Sequence, residues 1–238
     1  MNLKNIPNHI GFILDGNGRW ATKRGLKRNM GHKAGVEAIK RTVFALLDFN
    51  IPYASFFAFS TENFKRSKEE VDGIFNLLRE YIKNESDKYK NQDICLMVSG
   101  DLSKLPKDLE TELNRLIEET KNNNKLVINL CVNYGGQQDI VRACNNIIKD
   151  NIKNVDLEIF KNYLYTKNLP PLDLVIRTSG EQRISNFLLF DLAYAELYFT
   201  KTYWPDFNKK KLYKALKNFS KRNRRFGGLK NGRKHEKT

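Results

Sequence analysis

Asp15 closes a short apolar run and is followed at once by Gly16, Asn17, Gly18, Arg19 and Trp20, within the stretch HIGFILDGNGRWA at residues 9–21. Glycines placed after an apolar run let backbone N–H groups approach an anion closely, and the Asp15 carboxylate would stand at the mouth of that loop. Further cations recur downstream: Arg24, Arg28 and His32, then Arg66 after the cluster Ser60-Thr61-Glu62-Asn63, then Arg177 and Arg183. Isolated arginines usually meet only water or a surface acid. Arginines gathered at strand ends instead suit phosphate or diphosphate oxygens, which their planar fork grips with charge-assisted bonds. Two such groups imply two phosphorylated ligands, and the phenylalanines and leucines between them imply that the other ends of those ligands are apolar.

Two plainer readings compete for the first stretch. Asp-Gly and Asn-Gly are common turn dipeptides, so Asp15 to Gly18 alone could be a turn. Gly16, Gly18 and Ala21 also match the G-x-G-x-x-A spacing of a dinucleotide-binding loop. That loop calls for an acid about 20 residues on, at the end of the second strand. The acid at that distance, Glu37, falls inside an amphipathic pattern, and Arg19 and Trp20 are bulky where the loop should be slim. A P-loop is excluded, because no G-K-[ST] sequence occurs.

The elements that must position these residues alternate. Strands are expected over residues 10–14, 53–59, 94–99, 126–132, 174–176 and 197–199, where short apolar runs are bounded by polar or glycine residues. Helices are expected over 33–49, 106–120, 138–149, 157–165 and 209–221, with another running from the Ser67-x-x-Glu70 capping spacing to about residue 88. Such alternation predicts one α/β domain with a mostly parallel central sheet covered by helices on both faces. Ligands bind such sheets at the carboxyl ends of the strands. That rule gathers Asp15, the Ser60 to Asn63 cluster, Asn133 to Gly136 and Arg177 on one edge.

The composition, 40% hydrophobic and 11% aromatic over 238 residues, suits one folded domain. No run is apolar enough for a membrane helix and no signal-peptide core opens the chain, so a cytoplasmic protein is expected. Cys95, Cys131 and Cys144 have no metal-site or redox spacing and read as reduced thiols. The net charge of +15 is uneven: positions 208–238 hold 13 Lys or Arg and one acid, which leaves the rest of the chain near neutral. A basic end suits phosphate-rich partners, including anionic lipid headgroups. It carries no aromatic interleaving, so nucleic acid is not an expected partner.

Several motifs together resemble the cis-prenyltransferase family, and within it the bacterial undecaprenyl diphosphate synthases. They are HIGFILDGNGRWA with GHKAG at 31–35, FAFSTENFKR at 57–66, NYGG at 133–136, DLVIRTSGEQRISNFLL at 173–189, AYAELYF at 193–199, WPDF at 204–207 and RRFGG at 224–228. The resemblance spans nearly the whole chain, in the family's order. It implies a domain over residues 1–228 enclosing an apolar tunnel, followed by a basic tail at 229–238. It also implies condensation of isopentenyl diphosphate with an allylic diphosphate such as farnesyl diphosphate, assisted by Mg²⁺, in a homodimer that touches the membrane surface transiently and is otherwise cytoplasmic.

Carried over by position, Asp15 resembles the family's essential aspartate, and Glu196, within the chain or across the dimer interface, would complete the metal environment with it. Gly16, Asn17, Gly18, Arg19, Trp20, Arg28 and His32 would hold the allylic diphosphate. Asn63 and Arg66 would take part in catalysis, with Ser60 nearby. Arg177, Arg183 and Ser185 would hold isopentenyl diphosphate, and Arg225 and Gly227 would close that site from the partner subunit. No D-D-x-x-D sequence occurs, which argues against the trans-prenyltransferases. Departures from the family pattern are Phe64 for Trp, Ser67 for Pro, Gln182 for His and Phe190-Asp191 for Trp-Gln. A non-catalytic partner subunit of the same fold is the main rival, and the intact Asp15 loop speaks against it.

Overall fold

A computed structural model describes residues 5–224; Arg225, Gly227 and the basic tail lie outside the described residues. Six strands, β1 (His9–Ile13), β2 (Tyr53–Ser60), β3 (Ile94–Ser99), β4 (Leu126–Tyr134), β5 (Leu174–Arg177) and β6 (Glu196–Phe199), form one sheet in the order β3-β4-β2-β1-β5-β6. Every neighbouring pair is parallel. Between them lie α1 (Asn17–Thr22), α2 (Arg28–Asp48), α3 (Lys68–Asn91), α4 (Lys107–Thr120), α5 (Gly136–Lys149) and α6 (Leu157–Asn162), and α7 (Lys209–Phe219) follows β6.

Alternation along each strand divides the core. Ile10, Phe12, Ala54, Phe56, Ile128 and Leu130 point to one face, where they pack with apolar residues of α2, α3, α4 and α7. Ile13, Cys131, Val175, Phe187 and Leu188 form a smaller core on the other face, which α5 joins through Asp139, whose carboxylate accepts from Tyr134 Oη at 3.4 Å. β1 is buried along its whole length, as a central parallel strand must be. From β1 the chain adds β2 beside it, places β3 at the edge and inserts β4 between them, then crosses back to add β5 and β6 on the other side of β1. That reversal makes a crevice at the strands' carboxyl ends, the place where such sheets take ligands.

β3 has the expected bounds and most other elements shift at an end by a few residues; three of the differences have identifiable reasons. The loop expected after Asp15 is largely a helix: Gly16 turns the chain at φ 106°, and α1 begins one residue later. The next helix starts at Arg28 rather than residue 33, without a side-chain cap to announce it, so Arg28 and His32 stand on its opening turns. α6 stops at Asn162 instead of 165, because the Tyr165 N–H turns away to donate to Asp139 at 3.2 Å.

Candidate active site

The crevice at the carboxyl edge opens into a cavity of about 750 Å³. Asp15 stands at its centre and is fixed from both ends. Its backbone carbonyl accepts from the Trp204 N–H at 3.1 Å and from Thr178 Oγ1 at 2.7 Å. Its carboxylate takes one arginine on each oxygen, Arg19 at 3.0 Å and Arg177 at 3.0 Å. Trp204 is itself buried against Phe12 and Phe56 and donates its indole N–H to the Gly35 carbonyl. The loop under Asp15 is thereby tied to both the sheet and α2.

Arg177 ends β5 with a side chain only 4% exposed. Besides Asp15 it reaches Ser185 Oγ at 2.8 Å and the Arg183 carbonyl, which curls the 178–186 segment around the cavity. This curl holds Ser179, Ser185 and Asn186 at positive φ, a costly conformation for residues with a Cβ. The NYGG motif secures it: Gly136 N–H donates to the Asn186 carbonyl at 2.7 Å and Gln137 N–H to Asn186 Oδ1 at 2.8 Å. Glu181 then bridges the two arginine groups, pairing with Arg19 at 2.7 Å and with Arg183. Both guanidiniums hold its carboxyl below the usual range.

The opposite wall comes from α2 and α3. Glu70 meets Arg66 at 2.8 Å, Arg28 at 3.2 Å and His32 at 3.3 Å. Burial alone would raise the Glu70 carboxyl, but Arg66, Arg28 and His32 hold it below the usual carboxylate range. Burial depresses His32, with Glu70 opposing. Two arginines and a histidine that line the cavity thus converge on one acid beside it, a spacing that a diphosphate could also satisfy.

Deeper, the cavity continues into a narrow apolar crevice with about 80 Å³ of open volume. Leu14, Asn17, His32, Ala58 and Ile74 line both spaces. The crevice runs between α2 and α3 above β2 and β4, past Ile39, Phe59, Leu78 and Leu130. It lies where the resemblance implies an apolar tunnel.

The cavity brings together Asp15, Gly16, Asn17, Gly18 and Arg19 with Arg28 and His32, and across from them Ser60, Asn63 and Arg66. Arg177, Arg183 and Ser185 complete the ring. Asn63 also has a structural duty, accepting the Ser60 N–H at 3.1 Å. Two expected residues are elsewhere. Trp20 does not line the cavity: α1 turns it outward, and its indole N–H donates to Asp206 at 2.7 Å. Glu196 begins β6 beside Leu174, at the sheet edge opposite Asp15, and pairs with Arg222. Sequence reading missed Glu70 and Glu181, the acids that pair with the arginines lining the cavity. Glu70 was legible only as a helix-capping glutamate; Ser67 Oγ does cap α3, accepting the Glu70 N–H at 3.3 Å, while the Glu70 side chain turns to the arginines.

Among the described residues, no three His, Cys, Asp or Glu side chains cluster as a metal site. A hard cation such as Mg²⁺ needs only one or two protein carboxylates when phosphate oxygens supply the rest, and Asp15 at the head of an arginine-lined cavity fits that donor set.

Sheet, switch-point crevice, arginine-lined cavity and apolar crevice define an α/β protein built for phosphorylated ligands with apolar tails. Residues 13–227 match the family described as "Putative undecaprenyl diphosphate synthase". The isoprenyl transferase of Clostridium tetani is 48% identical over 96% of this chain and 92% of its own length; that of Fusobacterium nucleatum is 48% identical over 96% and 99%. The crystal structure of lavandulyl diphosphate synthase from Lavandula x intermedia, in complex with dimethylallyl diphosphate, superposes with a TM-score of 0.89 at 33% identity, over 93% of this chain and 98% of that one. A probable undecaprenyl diphosphate synthase from Campylobacter jejuni gives 0.80 at 32%, over 94% and 99%. The chain belongs to the undecaprenyl diphosphate synthase family and is a cis-prenyltransferase.

Proposed function

We propose that this enzyme adds isopentenyl diphosphate units to an allylic diphosphate, farnesyl diphosphate being the expected primer, to give a cis-polyprenyl diphosphate of the undecaprenyl type. One observation carries the reading: a carboxylate gripped by two arginines lies between two cationic groups, in a cavity that continues into an apolar crevice. A dinucleotide does not suit this arrangement, because Glu37 lies within α2 rather than at a strand end.

In the proposed reaction the allylic C–O bond breaks and its electron pair leaves with the diphosphate. The isopentenyl double bond attacks the allylic carbon, and a proton is lost to restore an alkene. Arg19, Arg28 and His32, with the Gly16 to Gly18 turn, hold the departing diphosphate, where fixed positive charge lowers the barrier most. Arg177, Arg183 and Ser185 hold the isopentenyl diphosphate, and Asn63 and Arg66 position the reacting ends. Bound beside Asp15, Mg²⁺ would neutralise charge on the leaving diphosphate. Glu70 and Glu181 occupy these cations until substrate displaces them.

A homodimer is part of the proposal. Glu196 is remote from Asp15 within one chain, so a metal-site role requires a second copy to present it. Arg225 and Gly227 would close the isopentenyl site in the same way, with the domain ending near residue 228. β6 lies at the edge of the sheet and Tyr194 beside it is 71% exposed, a surface on which a second copy could pack. Peripheral membrane contact through the basic end completes the reading.

The test is to incubate the protein with farnesyl diphosphate, labelled isopentenyl diphosphate and Mg²⁺, with and without detergent, and to size the product. Absence of elongation in both arms overturns the proposal. Asp15→Ala is expected to lower turnover by about 10²-fold or more, as removal of a transition-state contact does, while farnesyl diphosphate affinity changes only a few-fold. Equal losses in both would remove Asp15 from the ionisation step.

A further inference from the structure

The segments that follow β2 and β5 are joined at the Asn186 amide. Asn186, at the end of the curl begun by Arg177, stands at φ 64° with both polar atoms of its side chain in use. Its backbone carbonyl and its Oδ1 accept the N–H groups of Gly136 and Gln137, which open α5, at 2.7 Å and 2.8 Å. Gly135 offers that helix no side-chain cap, so Asn186 supplies one from the curl. With Oδ1 turned to α5, the amide hydrogens face elsewhere: Nδ2 donates to Gln138 Oε1 at 2.9 Å and to Glu62 Oε1 at 3.2 Å. A Cβ on Gly135 would lie 2.8 Å from Asn186 Nδ2, so a glycine of the NYGG motif gives the amide its room. Glu62 belongs to the turn Thr61–Lys65 that follows β2 and carries Asn63. Burial would raise its carboxyl, but its own N–H, Ser60 and Asn186 hold it below the usual carboxylate range. Both Glu62 and Asn186 line the cavity.

We propose that the Glu62–Asn186 hydrogen bond is a positioning contact that fixes the spacing between the two substrates of this enzyme. The inference rests on the condensation proposed above. Glu62 precedes Asn63, assigned there to the reacting ends, and Asn186 follows Ser185, assigned to isopentenyl diphosphate. The bond therefore ties the two assigned groups together through adjoining backbone. Capping α5 needs only the Asn186 carbonyl and Oδ1, so the bond to Glu62 adds nothing to that cap. It costs little to order, because the contacts to Gly136, Gln137 and Gln138 already hold the amide still. Joining two carbons calls for reacting atoms about 3–3.5 Å apart, and a misplacement of about 1 Å can cost roughly 10²-fold in rate. The arginines on each side of the cavity supply the hold on each diphosphate. A contact that joins the two sides therefore matters to turnover more than to either affinity. Substrates that fill the cavity displace water from the bond and strengthen it.

The test uses the full chain and measures the affinity for farnesyl diphosphate and for isopentenyl diphosphate, each alone, and then the rate of the first condensation with Mg²⁺ in a single turnover. Failure of the unaltered enzyme to condense the two overturns the reaction and this inference with it; given condensation, the variants test the contact alone. Glu62→Ala is expected to slow the step by about 10- to 100-fold, while each affinity changes by less than about threefold. Glu62→Gln, which keeps an acceptor oxygen, is expected to retain most of the rate. Asn186→Asp sets two carboxylates face to face and is expected to be as slow as Glu62→Ala. Adding Glu62→Gln to Asn186→Asp restores a donor to the pair and is expected to recover much of the loss. If Asn186→Asp does not fold, the two Glu62 variants decide. The positioning role is overturned by an unslowed Glu62→Ala, by affinities that fall as far as the rate, by Glu62→Gln as slow as Glu62→Ala, or by a double variant no faster than a folded Asn186→Asp.

Discussion

Asp191 is a carboxylate in the smaller core, 6% exposed, accepting from Thr166 Oγ1 at 2.7 Å. Burial raises its pKa from 3.8 to about 6; the Thr166 hydrogen bond and Lys161 oppose the shift, and Asp139 adds to it. A folded-state pKa above the unfolded one means that the folded chain binds the proton more tightly. Asp191 therefore costs nothing below about pH 4, and stability is lost as pH rises through about 6, where the buried group ionises. Asp191→Asn is expected to stabilise the protein by about 3 kcal/mol at pH 7.5, with the gain vanishing near pH 4. Urea denaturation at both pH values measures this, and an equal gain at both would assign the effect to packing. The sequence showed Asp191 as a departure from the family's Gln but not its environment, which is set by Thr166, 25 residues away. The same limit explains why some expected site residues lie away from the cavity in this chain. Asp15, Arg66 and Arg177 could be placed because each ends or closely follows a strand, and the sheet rule then fixes the edge it serves. Trp20 and Glu196 share the cavity residues' motifs, but helix phase and strand register turn them elsewhere.

The strand–helix alternation was legible because each buried parallel strand is a short apolar run bounded by turn-forming residues, as in β3 and β4. α1 was hidden because its formation depends on tertiary packing. A six-residue segment containing Gly18 is a poor helix by itself. It is held by close crossing with α2, where a Cβ on Gly31 would lie 2.0 Å from the Asn17 carbonyl oxygen. Alanine favours a helix interior over glycine by about 1 kcal/mol, so propensity alone makes Gly31→Ala stabilising. Overpacking costs about 1–3 kcal/mol or more, and the backbone of Asn17 cannot yield without moving Asp15 and Arg19. Gly31→Ala is therefore expected to lower the melting temperature and to weaken allylic diphosphate binding together. A variant more stable than the parent in thermal melts would show that the two helices have room to part.

At the scale of the whole molecule, the uneven charge acquires a location. α7 carries Lys210, Lys211, Lys214 and Lys217 exposed on one side and has no acid, while Leu212, Ala215, Leu216 and Phe219 bury its other side against the core. The polyprenyl diphosphate proposed above carries a long hydrocarbon, which calls for transfer to a membrane. A lysine face attracts anionic headgroups by about 1 kcal/mol per residue near the surface, an effect that falls with salt. The protein is expected to sediment with vesicles containing phosphatidylglycerol at low salt, but not with purely zwitterionic ones. Changing Lys210, Lys211, Lys214 and Lys217 together to Gln is expected to weaken that binding by roughly tenfold or more, even if screening removes much of the nominal attraction. Truncation after residue 228, which leaves α7 whole, should weaken it less. If truncation abolishes vesicle binding and the lysine changes do not, the segment after residue 228 rather than the α7 face carries the contact. If RNA displaces the protein from vesicles and binds it more tightly, the charge serves a polyanion in general and membrane delivery needs another surface.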